Sequence, residues 1–361
     1  MKIQKKLIRE HQILVINPGS TSTKVALFKG NKPVISRTVE HTDQEFSAYN
    51  KVYEQLGIRE KVVRDFINDN RISAIDAVAG RGGLLKPLHG GTYRVSDAMC
   101  RDLEEARYGE HASNLGPILA KLFSVELRVP AYIVDPVTVD EYEPCSRISG
   151  VPGIERKCRT HALNIKAVSR RCAREMGKIL ENTTFVVAHL GGGISVCALA
   201  GGRIIDSTDA LLGEGPFAME RSGTLPLKGV VDLCFDRGFS KEQVLSLLSK
   251  RSGFKGYLGT DNLKDVLARI KSGDELSCLI FEAMVRQTVK WIGAMMALVK
   301  GKADAVILTG GMVNSQLLSD AICMHIEPIA KVRLFPGEFE MEALAEGALR
   351  VLKKSEPVLK Y

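Results

Sequence analysis

Ile13–Val39 reads ILVINPGSTSTKVALFKGNKPVISRTV, and Phe185–Thr208 reads FVVAHLGGGISVCALAGGRIIDST. Each is an apolar run ending in a polar residue (Asn17, His189) and a Gly-rich turn. A second apolar run follows, then a turn carrying Gly (Gly30, Gly201–Gly202) and a third run. Asn17 and His189 lie 172 positions apart (189 − 17), about half of the 361-residue chain. Internal self-similarity at that distance points to two related β ladders. Their Gly/Ser/Thr loops, rich in backbone N–H and hydroxyl groups, suit a polyphosphate if they face each other across a cleft. A pair of ordinary Gly hairpins is the competing reading.

A chain of 361 residues accommodates two or three domains, and the repeat favours two of similar build. Apolar content of 45% with 25% charged residues fits a globular protein with a sizeable core. The formal charge of +8 does not single out nucleic acid. The basic clusters (Lys5–Lys6, Arg156–Arg159, Arg170–Arg174) lack interleaved aromatics, and a basic balance suits anionic small substrates equally well. The eight cysteines form no C-x-x-C pair and sit mostly in apolar segments, which reads as reduced, structural thiols of a cytoplasmic protein. MKIQKKLIREHQ is charged and runs into a strand, unlike a signal peptide, and the longest apolar stretch, Trp291–Val299, is too short to span a bilayer.

Between the repeats, helices are expected over Ala48–Asn70, Ser96–Arg107 (with Ser96 as cap) and Leu115–Leu127, and strands at Ile75–Ala79 and Ala131–Val134. The second half continues with helices near Val230–Phe235, Lys241–Ser249 and Asp274–Lys300, strands Ala305–Thr309 and Val332–Phe335, and helix Glu340–Leu352. Strands alternating with helices imply an α/β fold with parallel pairings. Ser149–Arg171 reads as the crossover between domains. Asn17, Arg81, Asp135, His189 and Gly310 each stand where an apolar strand ends, the position at which α/β sheets gather ligand chemistry. Neither GxxxxGK[ST] nor G-x-G-x-x-G is present, which argues against P-loop and dinucleotide enzymes.

The strings NPGSTSTK (17–24), GRGGLLKP (80–87), GEHASNLG (109–116), VDPVTVDE (134–141) and HALNIKAV (161–168) resemble the butyrate kinase branch of the acetate kinase family. AHLGGGISV (188–196), GEGPFAMERSGTLP (213–226), YLGTDNLKDV (257–266), LTGGMVNS (308–315) and PGEFEMEALAEGALRVL (336–352) extend the resemblance over nearly the whole chain. It implies two duplicated ribonuclease H-like (actin-like ATPase) domains with the active site in an interdomain cleft. An N-terminal acyl-substrate and metal domain would take 1–150 with about 340–361, and a nucleotide domain 151–339. It also implies reversible transfer of the γ-phosphoryl of ATP to a short carboxylate, giving an acyl phosphate and ADP, with Mg²⁺. Partners would be a small carboxylic acid, the nucleotide and a further copy of the chain, with a phosphate butyryltransferase as metabolic neighbour and neither nucleic acid nor membrane. An acetate or propionate kinase is the same-fold alternative. A nucleotide-switched, non-catalytic module of the actin/Hsp70 kind is the alternative from another class.

The resemblance makes Arg81 and Arg221 the substrate and transition-state arginines. Their guanidinium forks match carboxylate and phosphate oxygens in pairs. His161 becomes the donor to the transferring phosphoryl group, and His111 a structural or substrate-side histidine. Asn17, His189 and Gly191, Gly192 and Gly193 fall on the phosphates. Asp135 and a glutamate of EFEMEALAEG, with Glu342 preferred over Glu340, form the Mg²⁺ pair. Gly310, Gly311 and Asn314 match the adenosine side, with Asp261 and Asn262 near the base or ribose. Two positions depart from the family pattern. GGMVNS stands where GGLAYS is expected, and Thr160 where an aromatic is expected. Leu84–Leu85 and Pro87 are expected to wall the acyl pocket.

Overall fold

The computed structural model describes residues 10–47 and 49–361. The charged segment before residue 10, with its Lys5–Lys6 pair, and Ala48, where helical spacing begins, lie outside the described residues. The chain divides into two units. One runs up to Thr138 and takes in Phe339–Tyr361; the other is Val139–Glu338.

The first unit is built on β1 (Gln12–Pro18), β2 (Ser22–Lys29), β3 (Lys32–Glu40), β4 (Ala77–Arg81), β5 (Thr92–Arg94) and β6 (Ala131–Val134), in the sheet order β3-β2-β1-β4-β6-β5. β1 to β3 form an antiparallel ladder, and β4 and β6 add in parallel. Side chains alternate between faces. Leu14, Ile16, Val25, Leu27, Val78 and Ile133 share one core with helix Leu115–Leu127. Helix Glu340–Leu352 packs against β1, β4 and β6, and a Cβ on Gly347 would overlap Val134. Beyond that helix Leu359 bonds across to Thr92 and Arg94, and the Tyr361 hydroxyl donates to Asp102 at 2.6 Å.

The second unit has β7 (Thr184–Leu190), β8 (Ile194–Ala200), β9 (Arg203–Ser207), β10 (Ala305–Gly310) and β11 (Val332–Pro336), in the order β11-β10-β7-β8-β9. Read from the other edge, this repeats the order of the first sheet up to β5, with the same antiparallel ladder and parallel additions. The turn after β7 is one residue shorter than that after β1, since Asn17 pairs with Lys24 but His189 with Ser195. Past it the offset is therefore 171, and that shift carries the bulge at Leu27/Phe28 onto Ala198/Leu199. It also carries Gly30 (φ 61°) onto Gly201 (φ 58°), both in the left-handed region that glycine tolerates. The duplication thus extends to local irregularities.

Val186, Ala188, Leu190, Val306 and Leu308 pack with helix Glu275–Leu298, while helix Ala162–Glu175 packs on β7 and β10. Burial on both faces explains why these strands read as unbroken apolar runs. Ser96 and Asp274 cap their helices by accepting backbone N–H bonds, as their residue types predict.

Three expectations change. The strand expected at Ile75–Ala79 begins at Ala77 and runs on into Arg81, because Asp76 clamps Gln12 through both its carboxylate and its backbone N–H. Ser149–Arg171 is not a crossover: it lies inside the second unit, and its helical part is core. The first join falls at Thr138/Val139, because the residues just after it are already tied to β9. The Tyr142 hydroxyl meets Ser207, the Ser146 hydroxyl donates to the Ile205 carbonyl, and the buried Glu141–Lys166 pair also accepts from Ile204 N–H. The antiparallel edge strand β5 is new. All eight cysteines are free thiols, and among the described residues no helix is long and apolar enough to cross a membrane.

Candidate active site

In the first unit Asn17, Arg81 and Asp135 stand at the carboxyl ends of β1, β4 and β6, which are adjacent parallel strands about 4.8 Å apart. Arg81 forms an ion pair with Glu340, whose carboxylate also accepts from the Asn17 amide at 2.9 Å. Of the two glutamates, Glu340 is therefore the one joined to this row, not the preferred Glu342. Two residues along an α-helix turn a side chain by about 200°, so only one of the pair can face the strand ends. Asp135 is fully buried, at φ 38°, and its carboxylate accepts from Gly91 N–H at 2.7 Å. Aspartate tolerates that left-handed turn better than most residues. A Cβ on Gly82 would press on Pro136, so the Arg81 loop and the Asp135 turn lie against each other. A Cβ on Gly116 would overlap the Arg81 carbonyl, so the Gly80/Gly116 contact lets helix Leu115–Leu127 sit directly on β4.

Asp135 and Glu340 offer hard oxygen donors flanking Arg81, a donor set that suits Mg²⁺. Among the described residues no group of three or more His, Cys, Asp or Glu side chains could hold an ion unaided. A divalent ion here would complete its shell with water and phosphate oxygens, the usual habit of Mg²⁺. His111 is exposed and caps a short 3₁₀ turn, its Nδ1 paired with the Ser113 hydroxyl at 2.8 Å. The expected acyl wall comprises Leu84, Leu85 and Pro87. Leu85 belongs to the core and Pro87 is exposed, so of the three only Leu84 is half-buried.

In the second unit His161 and His189 stack, with ring centroids 3.9 Å apart and planes 10° from parallel. His161 caps helix Ala162–Glu175, and its Nδ1 meets the Ser195 hydroxyl at 2.8 Å. His189 is buried at the end of β7, with Nδ1 2.9 Å from the Asn164 amide. A Cβ on Gly191 would lie 3.2 Å from His189 Nε2, so that nitrogen faces the glycine turn; a Cβ on Gly192 would meet nothing. A Cβ on Gly193 would overlap the Arg221 guanidinium, which donates to the Ala210 carbonyl at 2.6 Å. Burial pulls the Arg221 guanidinium below its ordinary pKa. Its Nε is buried with no hydrogen-bond partner among the described residues, and the Glu220 and Asp209 carboxylates offset its charge only in part, without forming an ion pair.

The remaining residues have local roles. Gly310 (φ 99°) lies so close to Leu190 that a Cβ would overlap its carbonyl, and it exchanges backbone bonds with Gly337. Asn314 donates to the Gly311 carbonyl at 2.9 Å, Asn262 caps helix Leu263–Lys271, and Asp261 pairs with Lys255. None of these contacts reaches the histidine pair. Sequence reasoning passed over Asn164, Ser195 and Thr309, all buried polar residues inside apolar stretches. That pattern is itself a signal, since a buried polar group must find a partner.

Residues 151–331 match the Acetate_kinase family model, described as the acetokinase family. The chain is 46% identical over 352 residues to butyrate kinase 2 of Clostridium acetobutylicum, covering 97% of this chain and 99% of that one. It is 47% identical to a probable butyrate kinase of Listeria innocua, covering 95% and 97%. The crystal structure of Porphyromonas gingivalis acetate kinase superposes with a TM-score of 0.76 at 19% identity, covering 95% of this chain and all of that one. A propionate kinase from Francisella tularensis gives 0.72, also at 19%, covering 93% and 98%. These two likenesses bear on the fold.

Proposed function

This chain belongs to the acetokinase family, and from that premise we propose that it is a carboxylate kinase acting on butyrate or a close short or branched-chain acid. A carboxylate oxygen attacks the γ-phosphorus of ATP in line. The bond to the bridging oxygen breaks, its electron pair leaves with ADP, and the acyl phosphate forms. No proton has to move, because acceptor and leaving group are both anions. The reaction runs in either direction.

Catalysis here is charge compensation and alignment. In this reading Arg81 and Asn17 orient the acyl carboxylate, and Asp135 and Glu340 would hold Mg²⁺, which would supply neutralisation of phosphate charge. His189 and Gly191–Gly193 bind the β/γ-phosphates. His161 and Arg221 donate to the equatorial oxygens in the transition state. Gly310, Gly311, Asn314, Asp261 and Asn262 are assigned to the adenosine side. The reading extends to a cytoplasmic homo-oligomer that exchanges butyryl phosphate with a phosphate butyryltransferase.

The observation that carries it is Arg221. A half-buried guanidinium with a buried, unpartnered Nε and no ion pair, set against a glycine turn, suits an anion with several oxygens. The test is hydroxamate formation from butyrate, ATP, Mg²⁺ and hydroxylamine. Product with butyrate supports a kinase; no product with any C2–C6 acid rejects it and promotes the non-catalytic module.

A further inference from the structure

Two imidazoles meant to donate to phosphate oxygens must carry their protons on the correct nitrogens, and the hydrogen bonds at their other nitrogens decide this. Helix Ala162–Glu175 places Asn164 beside two neighbouring parallel strands, where Thr309 of β10 is in register with His189 of β7. The Asn164 amide nitrogen lies 2.9 Å from His189 Nδ1 and 3.1 Å from Thr309 Oγ1. The Thr309 hydroxyl points its own hydrogen at the Gly337 carbonyl, 3.4 Å away, and so offers Asn164 a lone pair. Both amide hydrogens are then placed, one on Thr309 and one on His189 Nδ1. The opposite amide orientation would turn the Thr309 hydroxyl away from Gly337. His189 Nδ1 is therefore an acceptor, and the proton resides on Nε2, the nitrogen facing the Gly191 turn.

A second arrangement of the same kind lies one strand over. Ser195 on β8 is the register partner of His189. Its hydroxyl oxygen accepts from the His161 backbone N–H at 3.3 Å and lies 2.8 Å from His161 Nδ1. With the backbone donor on one lone pair of its oxygen, the serine can give its own hydrogen to Nδ1, the arrangement that again puts the imidazole proton on Nε2. Asn164, Ser195 and Thr309 are each 1% exposed or less, so water does not compete for these bonds.

We propose that Asn164, oriented by Thr309, and Ser195 are positioning residues that hold the stacked His189 and His161 in the neutral Nε2–H form, ready to donate to phosphoryl oxygens. This rests on the kinase reading for its consequence but not for its geometry. None of the three touches a reacting atom; each acts through a ring nitrogen.

The test has a structural arm and a kinetic arm. Long-range ¹H–¹⁵N correlation spectra of the full-length wild-type protein are expected to show Nε2–H neutral imidazole for both histidines without substrate. An Nδ1–H form of His189 overturns the proposal whatever the kinetics. Asn164→Asp keeps the shape but can only accept, so it should move the His189 proton to Nδ1. It should also lower kcat roughly 10²-fold, the scale for losing one preorganised donor, with the KM for butyrate unchanged. Ser195→Ala should release the His161 tautomer, with a smaller loss. A folded Asn164→Asp protein with shifted spectra and wild-type kcat overturns the positioning role. If that variant does not fold, Thr309→Val, which frees the amide to rotate, is read instead: mixed His189 tautomers and reduced kcat support the lock, and an unchanged spectrum overturns it. A wild-type protein with Nε2–H spectra but no acyl phosphate product overturns the kinase reading, which distinguishes the two failures.

Discussion

The two sheets share strand order, pairing, a β-bulge and a left-handed glycine, yet the carboxyl ends of their strands carry opposite chemistry. In the first unit the row is charged and its arginine is paired: Arg81 pairs with Glu340, Glu340 accepts from Asn17, and Asp135 accepts from Gly91. In the second unit the row is two stacked imidazoles and a glycine turn, beside Arg221, whose charge no ion pair balances among the described residues. One scaffold thus carries an arginine held in an ion pair and an arginine without one. The difference lies in which residues cap equivalent strands, and the backbone that holds them has stayed the same.

If that contrast governs function, the largest loss should come from the arginine without an ion pair. Arg221→Ala is expected to lower kcat roughly 10²–10³-fold, the range for removing a preorganised transition-state donor. The melting temperature should move little, because burial of that guanidinium is itself unfavourable. Arg221→Lys should rescue poorly, since lysine supplies charge without the fork. Wild-type turnover in either variant would remove Arg221 from the chemistry.

Breaking the ion pair on the first side should cost less and change its metal response. Glu340→Gln leaves Arg81 without its partner and should raise the Mg²⁺ needed for half-maximal rate, with kcat down by roughly 10–10²-fold. Asp135→Asn should behave alike, whereas Glu342→Gln should match wild type in the same titration. If Glu342→Gln shifts the Mg²⁺ curve and Glu340→Gln does not, the metal pair is wrongly assigned.

The glycines sharpen the contrast in stability. Gly116→Ala forces a Cβ onto the Arg81 carbonyl and should destabilise the fold by about 1–3 kcal/mol in denaturant titrations, the usual cost of overpacking. Gly192→Ala meets nothing within 4 Å and should melt like wild type while binding nucleotide more weakly. Equal melting of the two variants would refute the distinction. The smallest effect concerns the acid. Acetate lacks two methylenes of butyrate, about 1.6 kcal/mol of apolar burial or roughly 15-fold in kcat/KM. A kcat/KM for acetate at or above that for butyrate would favour the acetate kinase alternative.

Much of this was legible in the sequence because it is written in small residues and apolar periods. The half-chain repeat, the strand ends at Asn17 and His189, and helices Leu115–Leu127 and Glu340–Leu352 all follow from spacing alone. What stayed hidden depends on phase and register. The choice between Glu340 and Glu342 depends on how the helix after Phe339 is rotated, which no local pattern fixes. Asn164, Ser195 and Thr309 look like scattered polar substitutions until strand register sets them around one ring pair. The early start of the second unit depends on Tyr142 and Glu141 finding β9 more than sixty residues downstream.

The return of Phe339–Tyr361 to the first unit bears on how the protein is made. On the ribosome, residues up to Thr138 emerge first but lack the helix that covers one face of β1, β4 and β6, together with the closing bonds of Leu359 and Tyr361. Val139–Glu338 is synthesised before that helix, so the first sheet lacks this cover throughout the synthesis of the second unit. Glu340 arrives with the same late helix. The ion pair on Arg81 therefore forms only once Glu340 has been translated, and products truncated before it should expose that sheet face and be targets for chaperones.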